Sequence, residues 1–525
     1  FLYVIEFYHI KFVACNMAKI IEEKTTVQKT SRSKTALNEN VVKQYKVFRK
    51  LIKKAAKTDF GKQFLFEQIL TADYDLALFK KLVPVYTYET LYQQWWKRVK
   101  RGDKDVCWPG KIKYFALSSG TSSGSSKIIP VSKQMLKTIR KTSLKQITSL
   151  KKLGVTNKSV RGEVLMIGGS TKLEEKNNRF FGDMSGISML NALPRWFLKK
   201  YYRPGYAISD LTDWDKRLNE IVLQAKKWNI AVICGMPNWV YLLIEKIVTH
   251  YKVETIHEIW PKLQLYVHGG VFFQPYQSDF EKLLKYPLNY AETYMASEGF
   301  FGFSTSDSKG GIQLVLDGNI FFEFIPYDNV NFDEHDCLRP NATPITIQQV
   351  KKNTNYALVI TNNAGAWRYL IGDIIQFVNT ETASIKIIGR LGQTLNVCGE
   401  HVSATNLIEA YNRVSENLEI ESGEFSVVSN YSNGNTTHHW FICGNKVLAK
   451  LPIAHKLDKS LMLLNHDYAV ARKANLLKPV VHIIPKRTMT QWLAHNGRAG
   501  NQYKMPVILS QDKIQPWLEF NGISL

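Results

Sequence analysis

Three times in this sequence a short apolar run stops at glycine: Val164-Leu165-Met166-Ile167-Gly168-Gly169, Ala231-Val232-Ile233-Cys234-Gly235-Met236-Pro237 and Leu263-Gln264-Leu265-Tyr266-Val267-His268-Gly269-Gly270. The second and third follow stretches with helical spacing, Trp214 to Trp228 and Trp239 to Tyr251. Strand, glycine turn and helix in alternation predict an α/β fold with a partly parallel sheet, and such sheets bind ligands at the C-terminal ends of their strands. At 525 residues the chain is too long for one core, and 45% hydrophobic residues supply enough material for at least two domains.

The chemistry-bearing stretch lies upstream of these runs. Lys113 to Leu117 and Ile128 to Val131 read as strands, and between them stands Ser118-Ser119-Gly120-Thr121-Ser122-Ser123-Gly124-Ser125-Ser126-Lys127. Glycines 120 and 124 allow backbone N–H groups to turn toward an anion, the hydroxyls add donors, and Lys127 adds a charge, so the segment suits a phosphate. A plain flexible Gly/Ser linker is the alternative.

The formal net charge is +24, with the basic residues scattered along the chain. In the densest run, Ser132 to Lys152, Met135, Leu136, Ile139, Leu144, Ile147 and Leu150 recur at helical spacing, so the lysines form the wet side of an amphipathic helix and no nucleic-acid groove is expected. The six cysteines never form CxxC, which points to free thiols in a reducing, cytoplasmic setting. Adjacent His438 and His439 in a strand face opposite ways and are read as structural. Residues 1–16 are too short and too charged for a membrane span, and Met17 follows them, so they read as an upstream extension; residues 17–40 are expected to be poorly ordered, before a helix from Val41 to Ala56.

Two further segments carry carboxylates at turns. In Tyr294-Met295-Ala296-Ser297-Glu298-Gly299, read as another strand end, Glu298 could hold Mg2+ against phosphate oxygens and Tyr294 offers a flat face for a base. In Trp367-Arg368-Tyr369-Leu370-Ile371-Gly372-Asp373, Asp373 near a strand start could accept both hydroxyls of a ribose. Either carboxylate could equally be a solvated turn residue.

Taken together, the Ser118–Lys127 loop, Tyr294 to Glu298 and Arg368 to Asp373 resemble, in order and spacing, the GH3 family of acyl-acid amido synthetases, part of the adenylate-forming superfamily that includes firefly luciferase and acyl-CoA synthetases. The likeness runs on through Gly389-Arg390 to Gly399-Glu400-His401 and Asn501-Gln502-Tyr503-Lys504-Met505-Pro506, and the Lys-, Asn- and Ile-rich composition suggests a bacterial member. The resemblance implies that Ser118, Ser119, Gly120 and Thr121 contact ATP phosphates, that Tyr294, Ala296 and Ser297 line the adenine and α-phosphate region, and that Glu298 sits at Mg2+. It further implies Asp373 at the ribose, Arg390 near the hinge approaching the nucleotide, and Lys504 swinging in over the adenylate. Plant members of the family have lysine at the position of His401 and arginine at that of Val507.

The implied architecture is a large N-terminal adenylate-forming α/β domain of mixed sheets and helices over residues 17–400, a hinge over 389–404 and a small mobile α+β lid over 405–525. Within the lid the pattern predicts a helix from Thr405 to Val414, strands at Glu424 to Ser429 and Thr437 to Cys443, a helix from Leu457 to about Arg472, and a strand at Val480 to Pro485. The implied activity activates a carboxylic acid as acyl-AMP with pyrophosphate release, then transfers the acyl group to an amine, expected to be an amino acid. Lys127, Lys504 and Mg2+ at Glu298 would stabilise charge at phosphorus. The alternatives are thioester formation with coenzyme A and a catalytically silent nucleotide-binding protein. No membrane association is expected.

Overall fold

The computed structural model describes residues 29–118, 127–150, 162–192, 200–270, 273–308, 310–333, 336–392, 394–395, 397–398, 400, 402–418, 423–432, 435–445, 448–473, 476–485, 487–495, 505–509 and 511–523. Its strands in the first half are β1 (Tyr114–Ser118), β2 (Lys127–Val131), β3 (Glu163–Ile167), β4 (Glu174–Lys176), β5 (Arg179–Gly182), β6 (Tyr202–Arg203), β7 (Ile230–Gly235) and β8 (Leu265–Gly269). They continue as β9 (Asn289–Ala296), β10 (Gly299–Phe303), β11 (Ile312–Leu314), β12 (Ile320–Pro326), β13 (Asn355–Asn362), β14 (Tyr369–Asn379) and β15 (Ser384–Arg390). The last are β16 (Thr394–Leu395), β17 (Val402–Ser403), β18 (Phe425–Ser432), β19 (Asn435–Cys443) and β20 (Val480–Ile484).

Eleven strands form one sheet in the order β12-β13-β14-β15-β11-β10-β9-β8-β7-β3-β6. The three glycine-stopped runs are β3, β7 and β8, and with β9 and β6 they make the parallel half. From β9 to β12 every pairing is antiparallel. Helices Pro237–Tyr251 and Gln274–Lys282 lie between successive parallel strands, as crossover connections of parallel pairs require. Trp214, Leu218, Ile221, Leu243 and Ile244 bury themselves with Ile233 and Tyr266 of the sheet. A second sheet, β2-β1-β5-β4, carries the two strands that flank the hydroxyl-rich loop.

The N-terminal helix starts earlier than the sequence pattern suggests, at Lys29, so the stretch expected to be poorly ordered is helical from there on. Its second half is pinned: Phe48, Leu51 and Ile52 are fully or almost fully buried, and the Gln44 amide donates to Leu316 O and Ile320 O at 2.8 and 3.0 Å. Once the costly first turns are fixed there, extension toward the N-terminus adds a hydrogen bond per residue, and Lys, Arg and Ala sustain it.

The C-terminal part is an α+β unit in which β18, β19 and β20 form a sheet beside helices Ala404–Leu418 and Ile453–Leu464. The single helix expected from Leu457 to Arg472 is two, because Asn465 ends the first and its side chain caps the second by accepting from Tyr468 N at 2.8 Å. Residues 505–509 add to the outer edge of β18: Val427 N donates to Val507 O (2.7 Å) and Leu509 N to Val427 O (3.0 Å). Among the described residues no helix is long and apolar enough to cross a membrane.

Candidate functional site

β9 is where the large sheet changes from parallel to antiparallel, and the candidate carboxylate sits at its C-terminal end. Ala296 pairs with Gly299, so Ser297 and Glu298 form a two-residue hairpin tip between β9 and β10. Gly299 has φ +153°, and a Cβ there would meet Ile320 at 2.8 Å. The turn and the close approach both need glycine. The tip is tied down from behind: Asn362 Nδ2 donates to Glu298 O at 2.8 Å, while Asn362 Oδ1 accepts from Ala364 N and Ala366 N at 2.9 and 3.1 Å. One side chain thus couples the Glu298 hairpin to the turn leading into β14.

Asp373 lies inside β14 rather than near its start, since pairing with β13 already begins at Tyr369. Gly372, at φ +95°, precedes it. Asp373 is the register partner of Arg390 on β15, and Arg390 Nε stands 3.7 Å from its Oδ1 while Nη2 donates to Ile371 O at 3.3 Å. Tyr294 Oη donates to the other oxygen, Oδ2, at 2.6 Å. Tyr294 therefore offers no flat face to a base, contrary to the sequence expectation: it is 5% exposed, with its ring edge-on to Phe301 at 4.8 Å and its hydroxyl committed to Asp373.

Four charges share this pocket of sheet. Glu298 is 7% exposed; burial pushes its pKa up, nearby Asp373 adds to the rise, and Arg390 and Lys127 oppose it. Burial pushes the Lys127 ammonium down, assisted by Arg390 and opposed by Glu298, Glu89 and Asp373. Burial also works against the Arg390 charge, but Asp373 and Glu298 outweigh it and raise its pKa. Ser118 and Lys127 are register partners on β1 and β2, so the loop between them starts and ends at one place. Ser119, Gly120 and Thr121 of that loop, together with His401 and Lys504, lie outside the described residues. The structure thus brings Lys127, Tyr294, Glu298, Asp373 and Arg390 together, with Ala296 and Ser297 at the hairpin.

Three neighbours are not evident from the sequence. The Tyr88 ring lies 5.2 Å below Lys127 Nζ. Tyr369, fully buried, places a hydroxyl with no hydrogen-bond partner among the described residues within the fields of Glu298 and Arg390. Asn362 could have been suspected as part of the turn signal Asn362-Asn363-Ala364-Gly365, whereas the two tyrosines carry no local signal. In the expected hinge, Glu400 is buried, accepts from His438 Nε2 at 3.0 Å and from Cys398 N at 2.8 Å, and although burial pushes its pKa up, these contacts bring it down to about 2. Val507 is partly buried against the small-unit core.

Two cations beside two carboxylates suit a polyphosphate carried with a divalent cation. Among the described residues no group of three or more His, Cys, Asp or Glu could cage a metal. Mg2+ needs only one or two carboxylates when phosphates and water complete its shell, and Glu298 and Asp373 are the carboxylates present here.

Family models match the chain in three consecutive pieces: the GH3 family N-terminal domain over residues 33–218, the central domain over 313–390 and the C-terminal domain over 404–513. The chain belongs to the GH3 family. It is a GH3-like, acyl-adenylate-forming ligase. The jasmonoyl–L-amino acid synthetase JAR4 of Nicotiana attenuata is 22% identical over 92% of this chain and 95% of its own length. The jasmonoyl–L-amino acid synthetase GH3.5 of Oryza sativa is 28% identical over 52% of this chain, a match that spans 48% of the rice protein. Among solved structures, the GH3.15 acyl acid amido synthetase superposes with a TM-score of 0.74 at 17% identity, covering 95% of this chain and 98% of that one, which shows a shared fold. These GH3 relatives are plant proteins, so they lend no support to the expected bacterial membership.

Proposed function

We propose that this GH3-family ligase uses Mg·ATP to convert a carboxylic acid to its acyl adenylate and then joins the acyl group to an amino acid. In the first step a carboxylate oxygen attacks the α-phosphorus, the bond to the β-phosphate oxygen breaks, and pyrophosphate leaves with the electron pair. In the second, the amine nitrogen attacks the acyl carbon, the carbon–oxygen bond to AMP breaks, and the nitrogen loses its extra proton.

The observation that carries this reading is the convergence of Lys127 from β2, Glu298 from the β9–β10 tip, Asp373 from β14 and Arg390 from β15 on one partly buried spot. Lys127 and Arg390 place positive charge where phosphate charge develops, and Asp373, oriented by Tyr294, supplies a fixed acceptor for ribose hydroxyls. Mg2+ at Glu298 would neutralise phosphate charge and orient the leaving group. Ser118, Ser119, Gly120 and Thr121 complete the phosphate site in this reading, and Ala296 and Ser297 flank the α-phosphate. Lys504 is the lysine presented by the small domain, moving about the hinge at 389–404 with His401; its neighbours 505–509 travel with β18, to which they are hydrogen-bonded. An amino-acid acceptor is supported by the names of the two jasmonoyl–amino acid synthetases. A cytoplasmic setting is supported by the free thiols at Cys107, Cys234, Cys398 and Cys443.

Pyrophosphate release, screened over a panel of carboxylic acids with and without amino acids, tests the reading. Acid-dependent release followed by amide formation is the expected result. Release that leads to thioester only when coenzyme A is added would identify a thioester-forming enzyme, and absence of release with ATP bound would identify a silent nucleotide-binding protein.

A further inference from the structure

Lys127 Nζ makes no hydrogen bond or ion pair among the described residues; what lies against it is the ring of Tyr88, 5.2 Å from Nζ to centroid. That ring is itself held in place by its neighbours. Tyr88 opens a short helix whose preceding residue, Thr87, forms a capping box with Thr90. It stacks on Tyr92 (5.5 Å, 25°) and meets the edge of Trp96 (6.2 Å), whose indole donates to Gly365 O at 3.2 Å. Its hydroxyl oxygen accepts from Ile128 N at 2.8 Å, which occupies a donor on β2, the outermost strand of its sheet. The chain emerging from the hydroxyl-rich loop is thus gripped at two consecutive residues by one aromatic side chain: Ile128 through its backbone and Lys127 through its charge.

We infer that Tyr88 is a positioning residue that holds the Lys127 ammonium over its ring face, aimed into the space shared with Glu298 and Arg390, so that the lysine is pre-ordered for phosphate. This rests on the nucleotide reading of the site. A long, four-carbon side chain repelled by Arg390 would otherwise sample many rotamers, and ordering it beforehand removes that entropy loss from the binding step. A partly buried cation over an aromatic ring is stabilised by the ring quadrupole, and a tyrosine or phenylalanine serves this purpose where an aliphatic residue cannot.

Calorimetric binding of Mg·ATP, which needs neither acid nor amine, tests the inference on the wild type, Tyr88→Phe, Tyr88→Leu, Lys127→Met and the Tyr88→Leu/Lys127→Met double variant, with thermal unfolding as the check of fold and Tyr88→Met in reserve if Tyr88→Leu does not fold. Tyr88→Leu is expected to weaken binding by about 3- to 20-fold, Tyr88→Phe to stay within about twofold of wild type, and Tyr88→Leu to add nothing once Lys127 is Met. Equal losses in Tyr88→Phe and Tyr88→Leu would assign the effect to the Ile128 contact and overturn the inference, as would an undiminished Tyr88→Leu effect in the Lys127→Met background. A wild type that binds Mg·ATP but releases no pyrophosphate with any acid would sink the ligase reading and leave this inference standing. A wild type that binds no Mg·ATP would sink both.

Discussion

Tyr294 Oη donates to Asp373 Oδ2 across 2.6 Å, joining β9, the strand at which the sheet switches direction, to β14. Burial, and then Asp373 itself, raise the Tyr294 pKa well above its ordinary value, so the phenol remains a donor throughout the working range. With Arg390 near the other oxygen, the carboxylate is fixed in orientation before any nucleotide arrives. Tyr294→Phe should therefore weaken Mg·ATP binding by roughly 1.5 to 3 kcal/mol, the value of a hydrogen bond to a charged group, and Asp373→Asn by a similar amount. Calorimetry measures both. Unchanged affinity in Tyr294→Phe would mean that Arg390 alone orients Asp373.

Glu298 separates function from stability. Its pKa is raised in the folded chain, chiefly by burial, so the stability linked to this group is fully present below the ordinary carboxylate pKa and is lost as pH rises through the raised value. At pH 7 the charge therefore opposes folding of the free protein. Glu298→Gln should raise the Tm at pH 7 by on the order of 1–3 °C and show no such gain near pH 4, while abolishing most Mg-dependent pyrophosphate release. Scanning calorimetry at both pH values, beside the pyrophosphate assay, decides it; a lower Tm at pH 7 would make Glu298 a structural residue.

Much of this arrangement was legible in the chain. Glycines at the C-terminal ends of β3, β7 and β8 mark the parallel half, and Lys127, Glu298 and Asp373 each stand beside a small residue or turn that local pattern reveals. The tyrosines were less accessible to such reading. Tyr88 stands far upstream of Lys127, and Tyr294 had to be seen against Asp373 before its buried role displaced the apparent one. Long-range polar partnerships such as Glu400 with His438, or Arg368 with Glu323, have no local periodicity, since they are set by which strands become neighbours.

The Arg368–Glu323 pair holds the base of β14. Arg368 adopts φ +42°, an unusual conformation for a side-chain-bearing residue, and donates from Nε and Nη2 to both Glu323 oxygens at 3.0 Å and from Nη1 to Val83 O at 2.6 Å. Both side chains are almost wholly buried. Arg368→Met leaves Glu323 with Lys80 alone, 3.8 Å away, and should cost about 3–5 kcal/mol in urea unfolding. A loss below about 1 kcal/mol would show that Lys80 compensates.

Acid sensitivity should come from His268. Burial pushes its pKa down to about 4, and Nδ1 has no hydrogen-bond partner among the described residues. The unfolded chain takes up the proton near pH 6.5 and the folded one only near 4, so stability falls as pH drops across that window, by roughly 3 kcal/mol at pH 4. His268→Phe, among Tyr266, Phe273 and Tyr290, should remove that part of the slope, leaving the part due to His439, whose pKa burial also lowers to about 4. Urea midpoints between pH 4 and 7 for both proteins measure it, and parallel curves would exclude His268 as the source.

The acyl adenylate itself can be followed by oxygen transfer. When the acid that supports pyrophosphate release carries 18O in both carboxylate oxygens, attack on the α-phosphorus and later displacement by the amine must leave one labelled oxygen in AMP. Mass spectrometry of the nucleotide product should show AMP heavier by one 18O, and this signal should fall in proportion to turnover in Asp373→Asn and Glu298→Gln. Label appearing in inorganic phosphate, with ADP as the nucleotide product, would mean an acyl phosphate route and would contradict the assignment of this site to adenylate formation.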